Sequence, residues 1–241
     1  MTKKRVPSHV PGMDELIDGG FPKDTITLIS GPPGSAKSLF GIQYIYNGAK
    51  EDKEHGIYLT LEESRDSIMR AAEEYDMDLE SLEDKGDIFL VDLGKMRIEC
   101  STSEELDWGL VSFETLKDFL KNHISFSQAK RLVVDSITAV GVYYKTPDLF
   151  RRELFKFSRF LKEAGITTIV ISETMEGKDS KYGVEEFIAD SLIRLDYEST
   201  EGEYRRTLTV RKMRFTKHDP MKHPFLIMDG GIEISPDEVI G

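Results

Sequence analysis

Residues 26–49, ITLISGPPGSAKSLFGIQYIYNGA, constrain this chain more than any other stretch. A short apolar run from Ile26 to Ile29 has the composition of a strand, Gly31-Pro32-Pro33-Gly34 breaks it, and a helical pattern resumes near Lys37. Strand, glycine-bearing turn and Lys-Ser at a helix start make up the phosphate-binding loop signature G-x-x-x-x-G-K-[ST]. Pro32 and Pro33 carry no amide hydrogen. The amides of Gly34, Ser35, Ala36, Lys37 and Ser38 are therefore expected to supply the donors. They converge at the positive end of a helix, where a polyphosphate is the natural guest. Gly31, Pro33 and Leu39 belong to the same nucleotide-contacting set. Lys37 is expected to reach the β- and γ-phosphates, and the Ser38 hydroxyl to take one position on Mg²⁺. Ala36 stands where the signature has its second glycine. With negative φ the alanine costs little; with positive φ it brings roughly 1–3 kcal/mol of strain. Its methyl group is also expected to crowd the phosphates.

A length of 241 residues predicts one α/β domain over 1–241, large enough to bury a substantial core. No run approaches the roughly 20 apolar residues of a membrane helix, and Met1-Thr2-Lys3-Lys4-Arg5 lacks the apolar core of a signal peptide. Cys100 is the single cysteine, which excludes an internal disulfide and a cysteine-based metal site. A cytoplasmic location follows as an expectation. The formal charge of −12 argues against non-specific binding of nucleic acid over the whole surface, while leaving room for a local basic patch.

Upstream of the loop, Pro11-Gly12 and Gly19-Gly20 bracket a short helical piece, Met13 to Ile17, which serves as a packing element at the sheet edge or lies near the nucleotide. Downstream, Gly56 opens an alternating strand through Leu61 that ends in Glu62-Glu63-Ser64, with Ser64 as N-cap of a helix to about Tyr75. If that strand neighbours the loop strand, its carboxylates sit on the ligand-binding rim of a parallel sheet. There one of them polarises the attacking water, or both simply complement the next helix's dipole. Asp76 to Asp87 reads as an acidic solvated connector and Ile88 to Val91 as a buried strand. Gly94 to Ser103 reads as a loop and Glu104 to Phe126 as a core helix. Arg131-Leu132-Val133-Val134-Asp135 is an apolar strand ending in a carboxylate, the Walker B pattern in which Asp135 holds the Mg²⁺ shell.

Asp148 to Gly165 has apolar residues Phe150, Leu154, Phe157, Leu161 and Ala164 along one face. Arg151, Arg152, Lys156, Arg159 and Lys162 occupy the others, as a solvated face or a contact surface. After the strand Ile166 to Ile171, the polar stretch from Met175 to Gly183 has the look of a mobile loop. From Leu192 onward short alternating strands replace strand–helix units, predicting an antiparallel C-terminal extension of a mostly parallel central sheet flanked by helices. Strict period 2 in Leu208–Arg214 places Leu208, Val210, Lys212 and Arg214 on one face, a cationic tip followed by His218.

With these residues in hand, the chain resembles the KaiC-like branch of the RecA superfamily of P-loop NTPases. The likeness runs through VPGMDELIDGGFP, GPPGSAKS, the strand ending in Glu62-Glu63, RLVVDSIT, VISE and KMRFTKHDPMKHPF. It implies a RecA-like fold, ATP and Mg²⁺ as ligands, and ATPase activity in a homo-oligomer, a hexameric ring. It also implies that Glu62 and Glu63 match the catalytic glutamate pair, that Asp135 is the Walker B aspartate, and that Lys212, Arg214 and His218 reach the nucleotide held by the next subunit. Phe215 departs from the glycine that usually follows K-x-R in the family. One ATPase unit, where the circadian clock protein has two, leaves timekeeping and autophosphorylation outside the expectation. Two other functions remain open: a recombinase-like protein contacting single strands through the 175–183 loop and the basic helix, and a regulatory module that binds ATP with little turnover.

Overall fold

The computed structural model describes residues 4–94, 112–175, 177–200 and 202–240. In chain order, β1 (Arg5–Val6), α1 (Met13–Leu16) and β2 (Phe21–Pro22) precede β3 (Ile26–Gly31) and α2 (Lys37–Asn47). A π-helical turn, Gly48–Asp52, continues α2 into β4 (Gly56–Thr60), followed by α3 (Arg65–Glu73), α4 (Leu79–Asp84) and β5 (Ile88–Asp92). Beyond lie α5 (Phe113–Ser127), β6 (Arg131–Asp135), α6 (Ile137–Gly141), α7 (Pro147–Glu163), β7 (Thr167–Glu173) and α8 (Glu185–Ile188). The chain then turns to β8 (Ser191–Thr200), β9 (Glu203–Met213), β10 (Lys222–Met228) and β11 (Gly231–Ile234). The expected loop 94–103, Cys100 and the first half of the expected helix 104–126 lie largely outside the described residues.

Among the described residues β1 pairs with β2, and the main sheet runs β11-β10-β9-β8-β3-β7-β6-β4-β5. Its pairs from β8 to β5 are parallel and those from β8 to β11 antiparallel. The predicted parallel sheet with an antiparallel extension is therefore present. One expectation fails. The strand carrying Glu62-Glu63 does not neighbour the loop strand, because β7 and β6 stand between β3 and β4.

Alternation along the parallel strands sorts side chains to two cores. Ile29, Tyr58, Val133, Ile169 and Ile171 meet α2 and α3 on one face. Leu28, Ile57, Leu59, Leu132, Val134 and Val170 meet α5 and α7 on the other. Phe150, Leu154, Phe157 and Leu161 form the buried stripe of α7, while Ala164, expected in that stripe, is exposed beyond its end. Thr146 caps α7 by accepting from the Leu149 amide at 3.3 Å, and Ser64 caps α3 by accepting from Ser67 at 3.2 Å. The stretch read as a plain acidic connector holds α4, whose cap Asp78 accepts from the Ser81 amide at 2.9 Å.

Arg131, at the start of β6, is the largest fully buried side chain among the described residues. Its guanidinium donates to Glu54 at 2.8 Å, to Asp52, to the Pro7 carbonyl at 2.8 Å and to the Tyr44 carbonyl at 3.3 Å. Glycine at position 48 leaves it room, since a β-carbon there would collide with the guanidinium. This fork ties the N-terminal segment to the end of α2 and to β6, and a buried ion pair that loses one partner strands the other charges. Arg131→Ala is expected to destabilise the fold by about 3–5 kcal/mol in urea unfolding; a loss below about 1 kcal/mol would mean the carboxylates re-solvate freely.

Candidate functional site

Gly31 closes β3 against β8 so tightly that a β-carbon would strike the Leu195 carbonyl. The loop then folds on itself, with the Pro32 carbonyl accepting from the Ser35 amide at 3.3 Å, the Ser35 hydroxyl at 2.8 Å and Lys37 Nζ at 2.9 Å. The Ser35 amide is thus spent on the turn. Among the described residues the amides of Gly34, Ala36, Lys37 and Ser38 meet no protein acceptor. Four of the five expected donors remain available at the mouth of α2, an eleven-residue helix with no side-chain cap. Gln43 holds α2 in place by accepting from the Ile232 amide at 2.8 Å and donating to the Ile232 carbonyl at 3.2 Å.

Ala36 has φ 68° and ψ 28°, the left-handed conformation that favours glycine. The positive-φ alternative therefore holds, at about 1–2 kcal/mol relative to an ordinary conformation. The Ala36 side chain is partly buried and packs against the α2-face core.

Lys37 is half-buried, and burial lowers its ammonium pKa, opposed by the nearby Asp135, Glu173 and Glu62 carboxylates. Glu173 pairs in register with Gly31 and ion-pairs with Lys181 at 3.2 Å. At the end of β6, Asp135 is 8% exposed and accepts from the Tyr58 hydroxyl at 2.6 Å, with the Ser38 hydroxyl near enough to favour its charged form. Burial raises the Asp135 pKa, with the two hydroxyls pulling it back down. Ser38 and Asp135 thus stand side by side beneath the free amides. One hydroxyl and one carboxylate, with water and phosphate oxygens to complete the shell, fit the hard-oxygen preference and partial hydration of Mg²⁺.

The two glutamates part company. Glu62 accepts from the Ser136 hydroxyl at 2.7 Å, beside Asp135. Glu63 accepts from the Ser67 hydroxyl at 2.8 Å in the first turn of α3, and its carbonyl accepts from Thr60 at 2.7 Å. Glu62 thus lies toward Asp135 and Glu63 toward the start of α3.

Lys212, Arg214 and His218 lie away from this cluster. Strict alternation in β9 fails because the pairings Leu192↔Lys212 and Ile193↔Val210 leave Arg211 as an extra residue in a bulge. Leu208, Val210 and Met213 consequently share the α2-face core. Lys212 turns to the opposite face, donating to the Glu186 and Ala189 carbonyls at 3.0 and 2.6 Å. Burial lowers its pKa, and Arg214 adds to that. Arg214 ion-pairs with the buried Asp190 at 3.4 Å, and His218 keeps a buried Nδ1 without a partner among the described residues. Met213 is level with Thr27 through Ser191, at the end of the strands opposite the loop. Roughly 13 Å of strand separates that level from Gly31.

Sequence reasoning missed several neighbours of the loop. Arg206 donates to the Gly34 carbonyl at 3.1 Å and stacks 4.4 Å over Tyr197, whose ring borders Gly34. The signal was the same period 2 that linked Leu208 to Val210, extended one step back. Tyr58 was visible in its strand but its partner was not. In the segment read as a mobile loop, Tyr182 packs 4.6 Å from Phe150 and donates to the Thr138 carbonyl at 3.1 Å. Ser180 donates to the buried Glu185 at 2.7 Å, and Asp179 ion-pairs with Arg194 and Arg211 at 3.7 Å. The one aromatic ring offered for base stacking is already engaged.

A mostly parallel sheet with a free-amide loop at one strand end and a buried Asp two strands away defines a RecA-like P-loop protein. The family model described as "ATPase: KaiC" matches residues 6–239, and the chain belongs to that family. It is 36% identical over 230 residues to the circadian clock oscillator protein KaiC of Synechococcus elongatus, covering 94% of this chain and 43% of that one. The chain thus spans less than half the length of its clock relatives. It is 36% identical to a UPF0273 protein of Thermotoga maritima over 98% of this chain and 97% of the other. The crystal structure of a KaiC-like protein from Pyrococcus horikoshii superposes with a TM-score of 0.84 at 36% identity, covering 97% and 99% of the two chains. Among the described residues no helix is long and apolar enough to cross a membrane.

A carboxyl whose folded pKa lies above its unfolded value weakens folding once the pH passes the unfolded pKa, and that penalty is absent at lower pH. Asp135→Asn is therefore expected to raise the melting temperature of the ligand-free protein near neutral pH. The gap from wild type should close as the pH falls and Asp135 takes up its proton; a gap that does not change with pH would assign the effect to packing.

Proposed function

We propose that this chain is a Mg²⁺-dependent ATPase of low intrinsic rate, acting as a homo-oligomeric ring, a hexamer, in which each site is completed by the neighbouring subunit. The observation that carries the reading is the group of unpaired amides at Gly34, Ala36, Lys37 and Ser38 over the Ser38–Asp135 pair. ATP rather than GTP, and the ring itself, rest on the family likeness.

In this reading the amides grip the phosphates, and Lys37 exchanges the Pro32 carbonyl for β- and γ-phosphate oxygens. Ser38 and Asp135 hold Mg²⁺, which when bound neutralises charge on those oxygens. Glu62 orients the attacking water, steadied by Ser136, while Glu63 keeps the start of α3 in place. Lys212, Arg214 and His218 sit at the end of the strands opposite the loop, Lys212 on the face away from α2, which favours action on another subunit's nucleotide over their own. A cation at the γ-phosphate stabilises charge on its equatorial oxygens and is worth roughly 10³–10⁵ in rate elsewhere.

Lys37→Ala is expected to abolish tight ATP binding. Arg214→Ala should retain binding and lose turnover by at least about 10³-fold. Mixing the two should restore part of the activity, since one supplies an intact loop and the other an intact cation. Mass measured with and without ATP tests the ring. Unchanged turnover in Arg214→Ala would remove the shared-site part of the proposal, and ATP occupancy without phosphate release by wild type would leave a binding module.

A further inference from the structure

The loop between β9 and β10 carries Arg214 and His218, and its own bonds are short-range: the Thr216 hydroxyl donates to the Arg214 carbonyl at 3.3 Å and the Met221 amide to Asp219 at 2.7 Å. Phe215 adopts φ 64°, which costs a non-glycine residue about 1–2 kcal/mol. Its side chain is 70% exposed, so packing does not repay that strain. Further restraint comes from outside the loop, chiefly from the N-terminal segment. Arg5 sits in β1, paired with Pro22 of β2, with its side chain only 11% exposed. One guanidinium nitrogen donates to the Thr216 hydroxyl at 2.7 Å and to the Gly20 carbonyl at 3.3 Å. The other donates to Asp18 at 3.0 Å and to the Phe215 carbonyl at 3.4 Å. A second contact comes from the same segment, where the Leu16 carbonyl accepts from the Asp219 amide at 2.9 Å. On its other flank the loop is tied to Asp190 through the Arg214 amide at 3.1 Å.

We propose that Arg5 is a positioning residue for the cationic loop: the β1–β2 ribbon is the mount that presents Arg214 and His218 to a neighbouring subunit's nucleotide. This rests on the reading of Arg214 as completing a site in trans. A planar fork with several fixed donors suits the task, because it fixes a carbonyl and a hydroxyl of the loop relative to two points on the ribbon. Arg5 touches no nucleotide in this scheme, so ATP binding at Lys37 does not depend on it.

The test uses the full chain. Binding of a fluorescent ATP analogue, kcat and KM are measured for Arg5→Ala, Arg5→Lys and, as reference, Arg214→Ala. Arg5→Ala is expected to lose about tenfold to a hundredfold in kcat, the cost of a small misplacement of a reacting-site group. Its KM should stay within about threefold of wild type. Arg5→Lys, which keeps the charge but concentrates its donors on one nitrogen, should recover part of the loss. Arg5→Ala mixed with Lys37→Ala should regain activity, since the second subunit brings a correctly mounted loop. Wild-type kcat in Arg5→Ala beside an inactive Arg214→Ala overturns the inference alone. Full turnover in Arg214→Ala overturns the reading beneath it and the inference with it. If Arg5→Ala fails to fold, Arg5→Lys decides: a fall in kcat at unchanged KM supports the mount, and a wild-type kcat overturns it.

Discussion

A helix whose first amides have no partner is an unfinished electrostatic object, and the rest of this molecule is arranged around one. The start of α2 has no side-chain cap, and the turn before it consumes only the Ser35 amide. Partial positive charge therefore accumulates where Lys37 is half-buried. Such a concentration is tolerable because Asp135, Glu173 and Glu62 lie close by. The carboxylates pay in turn, as Asp135 is held against its preference for water by two hydroxyls. Buried charge of both signs, incompletely matched, is what a site awaiting an anion and a cation together should look like.

The sheet supplies the rigidity this needs. β3 is flanked on both sides by parallel strands, its register with β7 unbroken from Ile26 to Gly31, so the loop leaves a fixed point. α2 is clamped at its far end through Arg131 and along its side by Gln43. The antiparallel extension adds a second service: Arg206 on β9 bonds the loop backbone from above, while the far end of the same strand carries Lys212. One strand thus touches both halves of the proposed catalytic apparatus.

Local chemistry made much of this legible. Pro32-Pro33 before Lys37-Ser38, Ser64 before α3, the apolar stripe of α7 and the apolar run into Asp135 are all short-range patterns, and each appears where periodicity and capping place it. What stayed hidden depends on pairings between distant residues. Nothing within β4 announces that β7 and β6 will separate it from β3, and nothing in Glu62-Glu63 tells which carboxylate finds Ser136 and which finds Ser67. The bulge at Arg211 is the sharpest case. Alternation predicted one face for Leu208, Val210, Lys212 and Arg214, and a single unpaired residue sent Lys212 through the sheet to the other.

The register of β9 also bears on symmetry. The loop and the cations occupy opposite ends of the strands, so the surface that would receive a neighbour is not the surface that would be received. Two copies related by a twofold axis bury the same patch on each; contact between unlike patches repeats instead, turning by a constant angle until it closes into a circle or climbs into a fibre. In the proposed assembly it is the register of β9 that sets loop and cations apart, while the inserted residue decides the face from which Lys212 would approach a neighbour.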